Sequence, residues 1–200
     1  MQAILTRRER SIFEFLRAIV PDAPGAGRME QTLQDLRPLQ GTALIVGGVA
    51  VIRHKYVRTT EAIDLLYARA DADIVARLLT HFNTEQEPRA GWHQLQHNAT
   101  GVRLKLVPEG WAASHGIIPG PRQLDGTRGF VSYAGLIWLK LIAGRMRDFA
   151  DLVELAKRGM TRAEAVCKKL NPELQPKYRE VLAQARKEME NDPHNKWPTK

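Results

Sequence analysis

Asp64 stands in the stretch Thr59-Thr60-Glu61-Ala62-Ile63-Asp64-Leu65-Leu66, a carboxylate with a methyl group two residues before it. An Asp-x-Asp pair at this place would put two carboxylates on one face of a strand, because successive side chains alternate between faces. Two such groups can hold Mg²⁺, which binds through oxygen ligands. Ala62 cannot ligate a metal, so Asp64 is the one metal ligand that this pair of positions offers. Upstream, an apolar run ends in Gly47-Gly48. Glycines at a strand-to-helix turn let backbone N–H groups approach a triphosphate, and the helix N-terminus adds favourable polarity. Arg58 is suited to meeting phosphate and Thr60 to hydrogen-bonding the loop; alternatively, both simply fix the turn. Far downstream come Lys140, Arg145, Arg147, Asp148 and Asp151. At about 100° per residue, Lys140, Gly144, Arg147 and Asp151 fall on one narrow stripe of a helix. That helix is otherwise apolar and so buried, and its polar stripe either faces a cleft or is internally paired. In the cleft reading Lys140 touches nucleotide phosphate, and Asp148 or Asp151 orients it or the substrate. In the paired reading Arg147 and Asp151 form an i, i+4 ion pair.

These residues need elements to carry them. Residues 6–20 read as an amphipathic helix on the period of Ile12, Phe13, Phe15, Leu16 and Ile19. Pro and Gly break the chain at 21–27, and a second helix follows at 29–38. TALIVGG suits a buried strand and a tight turn, with one or two helical turns after it. AIDLLYA is a second strand, and DADIVARLLTHF a helix with Asp71 as its cap. WHQLQHN and GVRLKLV pair as strands around a turn at 98–101. The Pro- and Gly-rich stretch 108–129 is mostly loop. From Ser132 the pattern is helical: one run to Gly159, a second that Thr161 and Glu164 open with a capping box, and a third after Asn171. The expected organisation is N-terminal helices over 1–38, an α/β core over 39–131, a helical C-terminal lobe over 132–190, and a disordered tail over 191–200. The fold class is α/β (α+β).

Two hundred residues suit one domain, or a core with an appended lobe. Hydrophobic residues at 44% and charged residues at 26% match an ordinary globular protein. No apolar run approaches the ~18 residues of a bilayer span. The N-terminus lacks the basic start, apolar block and cleavage site of a signal peptide. The single cysteine, Cys167, cannot form an internal disulfide. Together these predict a cytoplasmic protein without membrane contact. The net charge of +8 attracts polyanions, of which RNA and nucleotide phosphates are the obvious examples. His54 reads as structural. His93 and His97, four apart in a strand, do not form a metal pair. Cys167 has no partnering histidine and is no nucleophile.

Gly47-Gly48-Val49-Ala50, His54, Arg58, Thr60 and Ile63-Asp64-Leu65 resemble the opening motif of nucleotidyltransferase-fold proteins, which runs Gly-Gly-x-Ala, His, Arg-x-Thr, Asp-Ile-Asp. The pattern is similar to that of the abortive-infection type of bacterial nucleotidyltransferase toxin. Lys140 with Arg145, Arg147, Asp148 and Asp151 resembles the later helical motif of that family. The resemblance spans residues 40–156. It implies a small mixed sheet flanked by helices, and transfer of a nucleoside monophosphate from a nucleoside triphosphate to RNA, a protein hydroxyl or a small molecule, with Mg²⁺. Phosphoryl transfer needs positioning and charge neutralisation more than covalent help. By the resemblance, Gly47, Gly48, Arg58, Thr60 and Lys105 would bind nucleotide. Asp64, Lys140, Asp148 and Asp151 would be catalytic, with Asp64 the remaining metal ligand. A third acid belongs on the strand 102–107, where Lys105 or Val107 stands instead; Glu109 sits beyond Pro108 and does not replace it.

Three readings of Ala62 stay open. It is a substitution introduced to quiet a reactive enzyme, or a mark of natural divergence to a pseudoenzyme, or part of a different working site in which Lys105 is itself a phosphate ligand. Transfer is expected to be impaired or absent. The alternatives to an enzyme are a non-catalytic nucleotide- or RNA-binding module and a toxin–antitoxin component with an antitoxin as partner.

Overall fold

The four apolar residues Ala43–Val46 are buried on both sides and form β1. Gly47, at φ +61°, turns the chain directly into α2 (Gly47–Arg53). A computed structural model describes residues 26–39, 42–71, 73–89, 92–127 and 129–191. The helix expected over 6–20 and the tail expected after 191 lie outside the described residues. Helix α1 (Ala26–Asp35) starts inside the expected break and ends three residues before position 38. Pro38 disfavours helical backbone before it, and Arg37–Leu39 forms a 3₁₀ turn instead.

The remaining elements are β2 (Ala62–Tyr67), α3 (Ile74–Leu78), β3 (Phe82–Arg89), β4 (Trp92–His97), β5 (Arg103–Pro108), the small hairpin β6 (Ala112–Ala113) and β7 (Gly116–Ile117), β8 (Gly126–Thr127) and β9 (Phe130–Val131). Helices α4 (Tyr133–Ala143), α5 (Met146–Lys157), α6 (Met160–Cys167) and α7 (Gln175–Asn191) complete the chain. Seven strands form one mixed sheet in the order β3-β4-β5-β2-β1-β9-β8. Strand β2 is antiparallel to β1 and parallel to β5, while β5 is antiparallel to β4. The architecture is therefore the expected α/β (α+β) one, a mixed sheet followed by helices.

Residues of β2 alternate between two buried clusters. Ile63, Leu65 and Tyr67 join Ile45, Leu104, Leu106 and the apolar residues of α1 and α3. Leu66 joins Leu44, Val46, Val107 and the helices α4 to α7. Burial on both faces explains why the strand reads as a nearly continuous apolar run. Among the described residues no helix is long and apolar enough to cross a membrane.

Several expectations are corrected. The helix expected over 71–82 keeps only Ile74–Leu78. Asp71 gives no side-chain cap; both its carboxylate oxygens take the Arg77 guanidinium at 2.6 Å. Phe82, fully buried, opens β3 instead. That strand is polar and contains Pro88, so its own pattern argues against it, and pairing with β4 at the sheet edge overrides propensity. The stretch 108–129 is mostly loop, as expected, and carries only the two-residue strands β6, β7 and β8 and a short 3₁₀ turn. The helix expected to run unbroken from 132 to 159 is two helices. Gly144, left-handed at φ +64°, caps α4, and the chain restarts at α5. Helix α6 starts at Met160 with Gly159 as its cap residue, so Thr161 makes no capping box; Glu164 pairs with Arg186 on α7 instead. The turn at 98–101 is as expected, closed by the His97 N–H to Val102 O at 2.9 Å and the Gly101 N–H to His97 O at 2.9 Å.

Candidate functional site

The register of the sheet sets the surroundings of Asp64. It lies opposite Val46 on β1 and opposite Lys105 on β5, while Ala62 lies opposite Arg103. Lys105 in turn lies opposite Gln94 on β4. Cross-strand partners share a face, so around Asp64 on its face stand the apolar Val46, Ala62 and Leu66 and the cations Arg103 and Lys105, with the Gln94 amide beyond Lys105. Of the two alternatives for the third-acid position, Lys105 is the immediate neighbour and Val107 is one pair further into the core. Glu109 is engaged elsewhere, accepting the Arg69 N–H at 3.0 Å.

The two glycines are fitted against this face. A Cβ on Gly47 would lie 1.9 Å from Asp64 Oδ2. A Cβ on Gly48 would lie 2.6 Å from Thr60 Oγ1 and 3.1 Å from Arg58 Nη2. Only residues without side chains allow the turn to sit directly on Asp64, Thr60 and Arg58. Thr60 Oγ1 donates to the Ala62 carbonyl at 3.1 Å, fixing the approach to β2.

Helices α4 and α5 supply the rest. Lys140 is 4% exposed, and its ammonium donates to Asp148 Oδ1 at 3.0 Å and to Asp151 Oδ2 at 2.6 Å. The break at Gly144 makes this contact, because it folds α5 back towards Lys140. Arg147 does not pair with Asp151; its guanidinium reaches the Thr59 carbonyl at 3.4 Å. Asp151 Oδ1 instead lies 2.9 Å from Arg58 Nε, a charge contact without hydrogen-bond alignment. Arg145 Nε donates to Asp148 Oδ2 at 2.7 Å. The network thus runs Arg58, Asp151, Lys140, Asp148, Arg145, and it joins the loop before β2 to both helices.

Burial raises the pKa of the Asp64 carboxyl, against the opposing fields of Lys105, Arg145, Lys140 and Arg58. Burial also acts upward on Asp148, but the Arg145 hydrogen bond and the Lys140 charge outweigh it and hold that group below the usual carboxylate range. Four cations therefore stand around three carboxylates, and two of those carboxylates are committed to Lys140, Arg58 and Arg145. The Lys105 side chain is half-buried, and its charge is the largest opposing field at Asp64. The side chain of Arg145 is 74% exposed. These two present positive charge at the rim of the site.

Magnesium needs several oxygen donors in octahedral array. This face offers one carboxylate, bordered by Ala62, Arg103 and Lys105. The donor set does not fit the ion, and the charges around Asp64 are predominantly positive.

His54 ties α2 to the helices. Its Nε2–H donates to the Val131 carbonyl at 3.2 Å, and its ring meets Tyr133 edge-on. Burial is the main cause of a pKa lowered to about 4, which keeps the ring neutral.

All nine residues singled out from the sequence are brought together: Gly47, Gly48, Arg58, Thr60, Asp64, Lys105, Lys140, Asp148 and Asp151. Arg145 belongs with them through its bond to Asp148 and its field on Asp64. The sequence names Arg145 with the later helical motif, but its bond to Asp148 is set by the break at Gly144, which the helical period does not show. Arg103 was legible only through strand register.

No family model matches this chain, and no curated protein matches it. Seven chains of solved structures match. One is the solution structure of the antibiotic-resistance factor ANT(2'')-Ia, described as revealing substrate-regulated conformation dynamics. It is 14% identical over 83% of this chain and 97% of that one, with a TM-score of 0.47. Another is the crystal structure of ANT(2'')-Ia in complex with adenylyl-2''-tobramycin, 18% identical over 80% of this chain and 95% of that one, with a TM-score of 0.42. Likenesses at this level carry no argument about function, which rests on the residues themselves.

Proposed function

We propose that this chain is a nucleotidyltransferase-like protein that has kept the phosphate-binding half of its site and lost the metal-binding half. Its ligand is a nucleoside triphosphate, bound without a divalent cation. The observation that carries the reading is Asp64, pressed against Gly47 and in the field of Lys105, Arg145, Lys140 and Arg58, with Ala62 and Lys105 at the neighbouring positions of its own face.

The residues divide the work. Gly47 and Gly48 leave room for close approach of the backbone. Lys105 and Arg145 contact the phosphates, Lys105 as a point charge and Arg145 through the Nη1 donors left over from its bidentate hold on Asp148. Lys140, Asp148, Asp151 and Arg58 are positioning residues, holding α4, α5 and the loop before β2 in one geometry. Thr60 fixes the start of β2. Asp64 sets the rear wall and limits the positive charge. Transfer of nucleotide to RNA, a protein hydroxyl or a small molecule is impaired, because no residue here holds the metals that would neutralise the transferring phosphoryl group.

Isothermal titration with each of the four nucleoside triphosphates, with and without Mg²⁺, tests this. Binding is expected in both conditions, weakening with salt and falling at least about tenfold in Lys105→Gln and in Arg145→Gln. Binding only with Mg²⁺, or transfer of labelled nucleotide to cellular RNA or protein by the chain itself, would overturn it. Titration with single-stranded RNA separates a polynucleotide ligand from a mononucleotide.

A further inference from the structure

We infer that Asp35, His81 and His97 form a second site, a centre for a divalent cation of the zinc class, on the face of the sheet opposite Asp64. The three residues come from the end of α1, the residue before β3 and the end of β4. One ligand atom from each lies within 4.8 Å of the other two. Two imidazole nitrogens and one carboxylate oxygen make a donor set that zinc takes, at about 2.0–2.2 Å per bond and with a fourth position left for water. Tetrahedral ligation at those lengths places donors about 3.4 Å apart. His81 is exposed and can rotate to close the difference. The His81 and His97 rings already lie nearly parallel, with centroids 6.5 Å apart.

The buried polar groups give the independent observation. Six polar or charged side chains are buried among the described residues. Lys140, Asp148 and Asp151 belong to the site beside Asp64. The other three, Thr32, His97 and Thr100, belong to this one. His97 Nδ1 lies 2.8 Å from Thr100 Oγ1, which lies 2.7 Å from Thr32 Oγ1, which donates to the Arg28 carbonyl at 2.8 Å. In the structure Nδ1 accepts the Thr100 N–H at 3.2 Å, so the ring proton is on Nε2, towards Asp35; a cation on Nε2 requires that proton to move to Nδ1, and the line then runs in one direction. Nδ1–H donates to Thr100, Thr100 to Thr32, and Thr32 to the Arg28 carbonyl. A hydrogen bond from the second ring nitrogen is the usual support of a ligating histidine, fixing its tautomer and its orientation. The opposite nitrogen, Nε2, lies 2.9 Å from Asp35 Oδ2. Binding exchanges that Nε2–H for an Nδ1–H, with no net proton lost from the neutral ring, and puts the cation between nitrogen and oxygen. Asp35 is only half-buried and His81 is exposed, so the site opens to solvent on the side where the fourth ligand would enter. His93, on the same strand as His97, has no part in it.

The site stands independently of the nucleotide reading, and its test does not involve nucleotide. Tag-free full-length chain, stripped with chelator, is dialysed against Zn²⁺ and against Co²⁺. One metal ion per chain is expected, with Co²⁺ giving the visible absorption of a four- or five-coordinate nitrogen and oxygen site. His81→Ala alters an exposed side chain and should leave the far-UV circular dichroism unchanged while weakening Zn²⁺ at least about tenfold. Asp35→Asn should weaken it similarly, and His93→Ala should not change it. Absence of stoichiometric binding at micromolar free metal, or equal binding by His81→Ala, would overturn the inference and leave the His97–Asp35 contact as a pin between α1 and β4.

Discussion

Lys140 shows how much a single side chain holds. Its ammonium is buried between two carboxylates that are themselves almost fully buried. Removing the cation while leaving both acids should be severe, because an uncompensated buried charge costs more than an absent pair. Lys140→Met is expected to lose about 3–5 kcal/mol in urea unfolding. It should also loosen Arg58 through Asp151. A variant as stable as the parent would place the network outside the folding core. His54 makes a prediction in pH. Its folded pKa is lowered to about 4 from 6.5, so the folded state keeps the ring neutral where the unfolded chain already binds a proton. Its contribution is fully present above about pH 6.5 and is lost as the pH falls towards 4, up to about 3 kcal/mol. The difference in unfolding free energy between the parent and His54→Gln should therefore shrink between pH 7 and 4. A difference that stays constant with pH would show that the ring titrates normally.

At the scale of elements, register decides the chemistry. The parallel pairing of β2 with β5 sets Ala62 against Arg103 and Asp64 against Lys105. Restoring one acid therefore does not restore a metal site. In Ala62→Asp the new carboxylate should pair with the Arg103 guanidinium, which now meets Glu61 at 3.0 Å. No Mg²⁺-dependent transfer of labelled nucleotide is expected, and no rise in Mg²⁺ affinity. A gain of transfer in that variant would mean that position 62 alone had silenced an otherwise intact enzyme. The helices show the same dependence on placement. The polar stripe inferred from helical spacing was real in composition but not in geometry, since Gly144 divides it. Lys140 meets Asp148 and Asp151 across two helices, and Arg147 turns towards Thr59.

At the scale of the molecule, β2 separates two cores. Ile63 belongs to the cluster with α1 and α3, Leu66 to the cluster with α4 to α7, and both are 0% exposed. The strand is common to both, so they should melt together. Ile63→Ala and Leu66→Ala are each expected to cost about 2–5 kcal/mol. Each should keep a single unfolding transition seen alike by circular dichroism and by tryptophan fluorescence. Two separated transitions would show that the helices unfold independently of the sheet.

The sequence by itself determined the apolar strands β1 and β2, the β4–β5 turn and the helical character of the chain after Ser132. Those signals are local: an apolar run before two glycines, a turn of fixed length, and a sustained helical period. It also named the charged side chains that gather beside Asp64. Tertiary structure alone decided what those side chains do. β3 has no apolar alternation and exists because β4 pairs with it. The neighbours of Asp64 are set by register, and a shift of one residue would turn Lys105 to the other face. The approach of His81 and Asp35 to His97 joins positions 62 residues apart, which no spacing rule connects. Local chemistry fixed the inventory of charged groups; the pairing of strands and the break at Gly144 determined which are neutralised inside and which remain at the rim.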